Sequence, residues 1–291
     1  MILTGDCREI LPTLEAESID CCVTSPPYWG LRNYGMDNQI GDEETLDQYI
    51  QTLVDTFREV RRVLKPEGTF WLNLGDRYAK STPCGNGDPT IGRKPNGARI
   101  PRPKEMPFLD KCLMLIPSRV AIALMDDGWI LRNEIIWAKT NPMPESVKDR
   151  LSCSHENIFF ITKQSKGYYF DAESIAENCS ESSVKRYDQD IEHQKGSDRQ
   201  PGKSNGPMKA ALPRYGGKKY TENPDIFFRT KSGNTYDSKP KRNKRDVWTF
   251  STARFSGNHF ATYPEALVKP CILAGCPIGG VVLDPFSGSG T

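Results

Sequence analysis

Hydrophobic residues recur along this chain with two different periods. Leu46, Tyr49, Ile50, Leu53, Phe57, Val60 and Leu64 fall at helical spacing, which predicts one amphipathic helix stopped by Pro66 and Gly68. Short apolar runs frame it. Ile-Asp-Cys-Cys-Val-Thr, residues 19–24, reads as a buried strand ending at a Pro-Pro turn, and residues 69–74 read as a second strand ending in Gly75-Asp76. Helix, turn and strand in that order predict an α/β unit with a parallel sheet. A helix is expected near residues 117–126, strand-like segments at 129–137 and 157–162, and a helix at 263–274 with Pro264 in its first turn. Residues 281–284 read as a buried strand.

Two stretches break this pattern. Residues 77–107 hold six Pro and four Gly, with seven basic and two acidic side chains. A loop of that length inside a compact domain is functional or disordered. Residues 183–245 carry 16 Lys/Arg against 7 Asp/Glu, a local charge of +9, with Tyr187, Tyr215, Tyr220, Phe227, Phe228 and Tyr236 interspersed. The whole chain sums to only +2, so the remainder carries −7. The near-neutral total disfavours a nucleic-acid partner, and the regional count reverses that. Basic residues with aromatics suit phosphates and bases. A solvated insert is the alternative.

The remaining composition narrows the class. At 291 residues the chain forms one large domain or two modest ones. It can bury about 75% of its unfolded surface without staples. No run of about 20 apolar residues exists to span a membrane. The N-terminal residues lack the basic flank and apolar core of a signal peptide. Nine Cys with no CxxC pair, and three His, do not make a structural metal site, so no metal is expected. The thiols read as reduced residues of a cytoplasmic protein.

Two motifs carry chemistry, each directly after a strand, where open α/β sheets bind ligands. Thr24-Ser25-Pro26-Pro27-Tyr28-Trp29 brings together a hydroxyl, a backbone held by two prolines, and an aromatic ring. That set suits a planar ring bearing an amino group: acceptors take its hydrogens while Tyr28 stacks on its face. A rigid turn with a packed tyrosine is the bland alternative. Asp284-Pro285-Phe286-Ser287-Gly288-Ser289-Gly290-Thr291 lets backbone approach a ligand closely. Alone it is weak evidence, because it has neither the third glycine of the dinucleotide fingerprint nor the lysine of a phosphate-binding loop.

Together the motifs resemble the amino-methylating DNA methyltransferases, which use S-adenosylmethionine, over nearly the whole chain. Ser25-Pro26-Pro27-Tyr28 matches the family's catalytic motif, and the segment from Asp284 to Thr291 matches its cofactor loop. Gly5-Asp6-Cys7 resembles the acidic turn near the cofactor's adenosine. His259-Phe260-Ala261-Thr262-Tyr263-Pro264 resembles the segment that cradles its methionine moiety. Residues 141–150, with His155-Glu156, are typical of many bacterial and phage members. The catalytic motif precedes the cofactor loop, and the basic segment lies between them, as in the permuted β group.

The resemblance implies a fold and a division of labour. The fold is α/β: a Rossmann-like, circularly permuted methyltransferase sheet with an N-terminal strand around Ile2 and an inserted basic target-recognition region. The catalytic part is expected at 1–165, the DNA-contacting insert at 166–245, and an incomplete start of the cofactor-binding part at 246–291. Ser25, Pro26, Pro27 and Tyr28 are the expected catalytic residues. Asp6, His259, Phe260, Ala261, Asp284, Pro285, Phe286, Gly288, Ser289, Gly290 and Thr291 are the expected cofactor contacts. Because the sequence stops on Thr291, where family members continue to a ribose-binding acidic residue, a truncated chain binding the cofactor weakly or not at all is expected.

The implied reaction is direct methyl transfer to an exocyclic amine of a base flipped out of double-stranded DNA. Ser25 Oγ and the Pro26 carbonyl would accept the amine's hydrogens and localise its lone pair. Tyr28 would hold the ring, with Trp29 as a possible second wall. Serine before the two prolines is associated with cytosine N4 in the family, whereas aspartate or asparagine favours adenine N6, which is the alternative. C5-cytosine methylation would need a cysteine nucleophile after a proline and a base-contacting Glu-Asn pair, to which Pro83-Cys84 and Pro270-Cys271, and Glu156-Asn157, offer only a poor match. A truncated, non-catalytic DNA-binding remnant is the reading from another class. A cognate restriction endonuclease is a possible partner, no membrane is involved, and a monomer or homodimer would serve.

Overall fold

The computed structural model describes the chain except for residues 32–37, 80–107, 188–196, 201–202, 206–227, 230–234, 237–240, 253–263 and 288–291. Two compact units result, Met1–Phe170 with Asp246–Thr291, and Asp171–Arg245.

The first unit is built on a six-stranded sheet. Its strands are β1 (Ile19–Thr24), β2 (Leu64–Leu74), β3 (Ile130–Lys139), β4 (His155–Thr162), β5 (Val247–Phe250) and β6 (Val282–Leu283). Their order is β5-β3-β4-β2-β1-β6. β1 runs parallel to both β2 and β6, and β5 parallel to β3, but β4 is antiparallel to β2 and β3. The sheet is therefore mixed rather than parallel, because residues 140–154 return the chain from β3 to β4 as a hairpin-like connection instead of a helical crossover.

Helix α1 (Cys7–Ile10) is a single turn; α2 (Leu46–Val63), α3 (Ile116–Asp126) and α4 (Glu265–Gly275) are longer. Thr45 and Gln48 form a reciprocal capping box that starts α2, with bonds of 3.2 and 3.1 Å. Its end lies at Val63, and Leu64 is already extended. Pro66 forces the residue before it out of the helical region, so the strand begins five residues earlier than its apolar run suggests. Between the pairs Ile19↔Leu64 and Cys21↔Thr69, β1 advances two residues and β2 five. The surplus forms a bulge that absorbs Pro66. Gly68 leaves little room within it, since a Cβ there would lie 3.0 Å from the Lys65 carbonyl oxygen.

The period-2 alternation of β2 sorts its side chains to two faces. Phe70, Leu72 and Leu74 join Phe159 and Ile161 in a core closed by Tyr49, Leu53, Phe57 and Val60 of α2 and Val120 and Leu124 of α3. Each such side chain contributes about 1.5–3 kcal/mol by leaving water. On the other face, α4 sits so close that a Cβ on Gly275 would collide with Thr69 Oγ1 and Trp71 Nε1. The Thr69 hydroxyl donates to the Gly275 carbonyl at 2.8 Å. Covered on both sides, β1 is buried at every position.

Two expectations fail at the margin of the sheet. Residues 1–4 form no strand, and Ile2 and Leu3 are exposed. β6 is not buried: Val281 and Val282 are exposed, since this strand has β1 as its one described neighbour.

In the second unit, Glu177–Asn178 pairs antiparallel with Lys241–Arg242, and Ser197–Gln200 with Lys203–Asn205. Phe228–Arg229 pairs with Thr235–Tyr236, and one helix spans Glu181–Tyr187. Glu177 lies 3.4–3.8 Å from the cationic groups of Arg242, Lys244 and Arg245, which ties together the two ends of this unit. Among the described residues, no helix is long and apolar enough to cross a membrane, and no cluster of His, Cys, Asp and Glu could hold a metal.

Candidate active site

Strand directions collect the chemistry at one edge of the first unit's sheet. β1, β2 and β6 run the same way, and so do β3 and β5. β4 runs against them, so its first residues meet the others' last ones: Asn73 faces Ile158 and Trp137 faces Glu156. Ser25–Tyr28, Gly75-Asp76, Lys139, Glu156, Phe250 and Asp284 therefore share one side. It is the carboxyl edge at which α/β sheets hold ligands.

The motif after β1 is held from behind. The Tyr49 hydroxyl, in the buried face of α2, donates to the Pro27 carbonyl at 3.0 Å. Burial pushes the Tyr49 hydroxyl's pKa up, so it stays a donor. Among the described residues no hydrogen bond reaches the Pro26 carbonyl. Ser25 Oγ lies 3.4 Å from the Tyr28 hydroxyl, which donates to Glu156 Oε2 at 2.9 Å. Tyr28 is half-buried, with its hydroxyl held between Ser25 and Glu156. Burial first, and the Glu156 charge second, hold the Tyr28 hydroxyl well above the ordinary tyrosine pKa.

Glu156 itself is gripped by three donors. Asn73 Nδ2 donates to Oε2 at 3.2 Å, and Lys139 pairs with Oε1. The same Asn73 amide donates to the Asn157 carbonyl at 3.2 Å. Lys139 Nζ lies 4.8 Å from the centre of the Trp137 ring. None of Glu156, Asn73 and Lys139 was singled out as a site residue from sequence. Asn73 carried a signal, a polar residue inside the apolar run Phe70-Trp71-Leu72-Asn73-Leu74, where it is 3% exposed. Glu156 was visible only as part of a motif, and Lys139 carried no signal.

Trp29 is not a pocket wall. It is fully buried, its indole N–H donates to the Glu43 carbonyl at 3.0 Å, and Arg77 grips its carbonyl at 2.7 Å. Asp76 accepts from the Arg77 and Ile116 N–H groups at 2.8 and 3.1 Å, and so fastens the start of α3 to the end of β2.

The segment after β6 stands beside the Ser25 motif, because Cys22 pairs with Leu283. Thr24 Oγ1 donates to Asp284 Oδ1, which also accepts the Phe286 N–H at 3.0 Å. Asp284, Pro285 and Phe286 are half-buried, and Phe286 packs against the main core. Asp6 caps α1 and accepts from Arg8 through its backbone at 2.8 Å and through its guanidinium at 2.5–3.1 Å. The Arg8 guanidinium holds the Asp6 carboxyl below the usual range. His259, Phe260, Ala261, Gly288, Ser289, Gly290 and Thr291 lie outside the described residues.

Among the described residues, the thiols of Cys7, Cys21 and Cys22 are not activated. Burial pushes Cys7 up to about 11 and Cys21 up to about 12, and Cys22 is raised as well. Cys271 is buried in α4, where its thiol donates to the Leu267 carbonyl at 3.2 Å. Cys84 lies outside the described residues.

Comparison with known proteins agrees with this geometry. The N6/N4 methylase family model, described as DNA methylase, matches residues 19–291. The type II methyltransferase M.SmaI of Serratia marcescens is 40% identical over 292 residues, covering 100% of this chain and 80% of the relative. M.Cfr9I of Citrobacter freundii is 39% identical over 293 residues, covering 100% and 77%. Among solved structures, the PvuII DNA methyltransferase (cytosine-N4-specific) superposes with a TM-score of 0.55 at 15% identity, covering 96% of this chain and 71% of that one. A putative DNA modification methylase from Thermus thermophilus, complexed with S-adenosyl-L-methionine, gives 0.50 at 20%, covering 98% and 78%. These two share the Rossmann-like methyltransferase fold with this chain.

The chain belongs to the N6/N4 DNA methylase family. It is a site-specific type II DNA amino-methyltransferase with S-adenosylmethionine as methyl donor.

Proposed function

We propose that the chain methylates the exocyclic N4 amine of a cytosine flipped out of double-stranded DNA. The observation that carries this is the placement of Ser25 at the carboxyl end of β1, with its hydroxyl beside Tyr28 and its strand next to the Asp284 turn. Serine in that position is the residue that the family resemblance associates with cytosine.

The residues supply positioning rather than covalent chemistry. Ser25 Oγ and the Pro26 carbonyl would accept the two amine hydrogens and draw the nitrogen lone pair out of ring conjugation. Tyr28 would hold the base through its ring, and the Tyr49 bond to the Pro27 carbonyl keeps the turn from yielding. S-adenosylmethionine would supply an electrophilic methyl on its sulfonium; the amine nitrogen held by Ser25 and Pro26 would take that methyl as the S–C bond breaks and would release its surplus proton to water.

The described residues fit that donor. The Asp284 carboxylate stands beside half-buried Pro285 and Phe286, a polar and an apolar surface for a molecule that has both. Asp284, Pro285 and Phe286 would hold it together with Gly288, Ser289, Gly290 and Thr291, and with His259, Phe260 and Ala261. Asp6 would meet its adenosine with the lone pairs that Arg8 leaves. The basic segment within 166–245 would contact DNA phosphates, between catalytic and cofactor-binding parts at 1–165 and 246–291. Type II relatives make a cognate restriction endonuclease in the same cytoplasm the expected partner.

The test is transfer of labelled methyl into mixed-sequence DNA, followed by nucleoside analysis. N4-methylcytosine is expected. Label found only in N6-methyladenine would move the assignment to adenine, and label in 5-methylcytosine would overturn the amine mechanism.

A further inference from the structure

Glu156 stands at the far end of the hydroxyl chain that begins at Ser25, and neither sequence motif assigns it a task. Resting on the reading of Ser25 as the group that accepts the amine's hydrogens, we propose that Glu156 is a positioning residue. It fixes the direction of the hydrogen bonds from Ser25 through Tyr28, so that the Ser25 hydroxyl keeps its lone pairs for the base.

The direction follows from donor and acceptor inventories. A carboxylate only accepts. Tyr28 has one hydroxyl hydrogen, and Glu156 Oε2 takes it at 2.9 Å. The Tyr28 oxygen is then left as an acceptor, and the one hydrogen of Ser25 turns towards it across 3.4 Å. That contact is longer than an ordinary hydroxyl–hydroxyl bond, and it tightens as the base is held. With its hydrogen committed, Ser25 can meet an incoming N–H only as an acceptor.

Glu156 is itself prevented from turning. Oε1 is paired with Lys139, and Oε2 also takes the Asn73 amide N–H2, whose orientation is set by the Asn157 carbonyl. Four consecutive strands of the sheet contribute: Tyr28 after β1, Asn73 in β2, Lys139 at the end of β3 and Glu156 in β4. Remove the carboxylate, and the Tyr28 hydroxyl is free to donate to Ser25. Ser25 would then present its hydrogen to the amine, donor against donor. An exocyclic amine on cytosine or on adenine is served alike, so the relay is independent of base identity.

Single-turnover methyl transfer, binding of S-adenosylmethionine and DNA, and NMR of protein labelled at tyrosine Cζ test this on S25A, Y28F, E156Q and Y28F/E156Q. Loss of one charge-assisted hydrogen bond should slow transfer by E156Q about 10–100-fold. Both dissociation constants should stay within about twofold. In the Y28F background, E156Q should change the rate by less than about twofold, because nothing remains for Glu156 to direct. The Tyr28 Cζ resonance, identified by its absence in Y28F, should move in E156Q. Wild-type transfer by E156Q alongside a slow S25A overturns the relay and leaves the Ser25 reading intact. So does a full further loss in the Y28F background. Wild-type transfer by S25A overturns the Ser25 reading itself. An unmoved Tyr28 resonance overturns the relay whatever the activities.

Discussion

A Cβ added to Gly75 would stand 2.6 Å from Cε2 of Tyr28 and 3.3 Å from its Cδ2 and Cζ, so the end of β2 is shaped around the tyrosine ring. Gly75 does not need a left-handed backbone. Its requirement is steric alone, and a methyl group there must push the ring off its seat. G75A is therefore expected to cost about 1–3 kcal/mol of stability, as overpacking does. It should lower single-turnover transfer by more than about tenfold, since misplacing a reacting group by an ångström can cost about a hundredfold. Denaturant melts beside rapid-quench assays check both. A G75A enzyme that transfers methyl at the wild-type rate would show that the seat of the ring is irrelevant to the reaction.

Thr24 is 1% exposed, and its hydroxyl reaches across from β1 to Asp284 at the end of β6. T24V keeps the shape and removes the donor. Leaving a part-buried acceptor short of a partner costs about 1–3 kcal/mol. Because the same Asp284 oxygen shapes the turn to Phe286, calorimetry should show weaker S-adenosylmethionine binding for T24V than for the unsubstituted chain, with DNA affinity unchanged.

Asp20 links three elements. Its carboxylate pairs with Lys65 at 2.7 Å and accepts the Val281 N–H at 2.8 Å. Burial pushes its pKa up, but the Lys65 hydrogen bond, the Val281 N–H and the Lys65 charge together outweigh that, and the net shift is below the ordinary 3.8. A depressed folded-state pKa gives stability that is present above the unfolded value and is lost as pH falls through the folded one. D20N should thus destabilise the fold by about 1–3 kcal/mol at neutral pH. The gap to the unsubstituted chain should close as the pH drops from about 4 downward. Urea melts at pH 7 and in that acidic window measure it. A constant gap at both would exclude the charge as the cause.

Cys84 and Cys271 follow prolines, as a C5-directed nucleophile would, yet direct transfer to an amine needs no thiol. C84S and C271S should keep their methylation product and rate within about threefold, the scale of a minor packing change. Loss of activity in either variant, with the fold retained by circular dichroism, would reopen a covalent route.

Much of this architecture was legible locally. Helix α2 shows in its apolar spacing, and the strand run Ile19–Thr24 matches β1 residue for residue. Pro-Pro and Gly-Asp punctuation marked where β1 and β2 release their chains. The Ser25 motif and the Asp284 turn could be named because each is contiguous. The bulge at Pro66 could not, because an eleven-residue β2 interrupted by a proline has the local pattern of a helix end followed by a short strand. The exposure of β6 was missed for a related reason. An apolar run says that a strand forms, not whether a neighbour covers it.

Period, turn chemistry and short motifs are properties of neighbouring residues, so the chain alone specified its elements and the hydroxyl, prolines and ring at the end of β1. Strand direction and order are properties of pairing across long separations. Tyr28 and Glu156 meet over 128 residues, and Thr24 and Asp284 over 260. Had β4 run parallel to β2, Glu156 would have started at the opposite edge, far from any hydroxyl it could orient. The antiparallel return of β4 is what places a carboxylate, its lysine and its asparagine beside the Ser25 motif, and no local pattern encodes it.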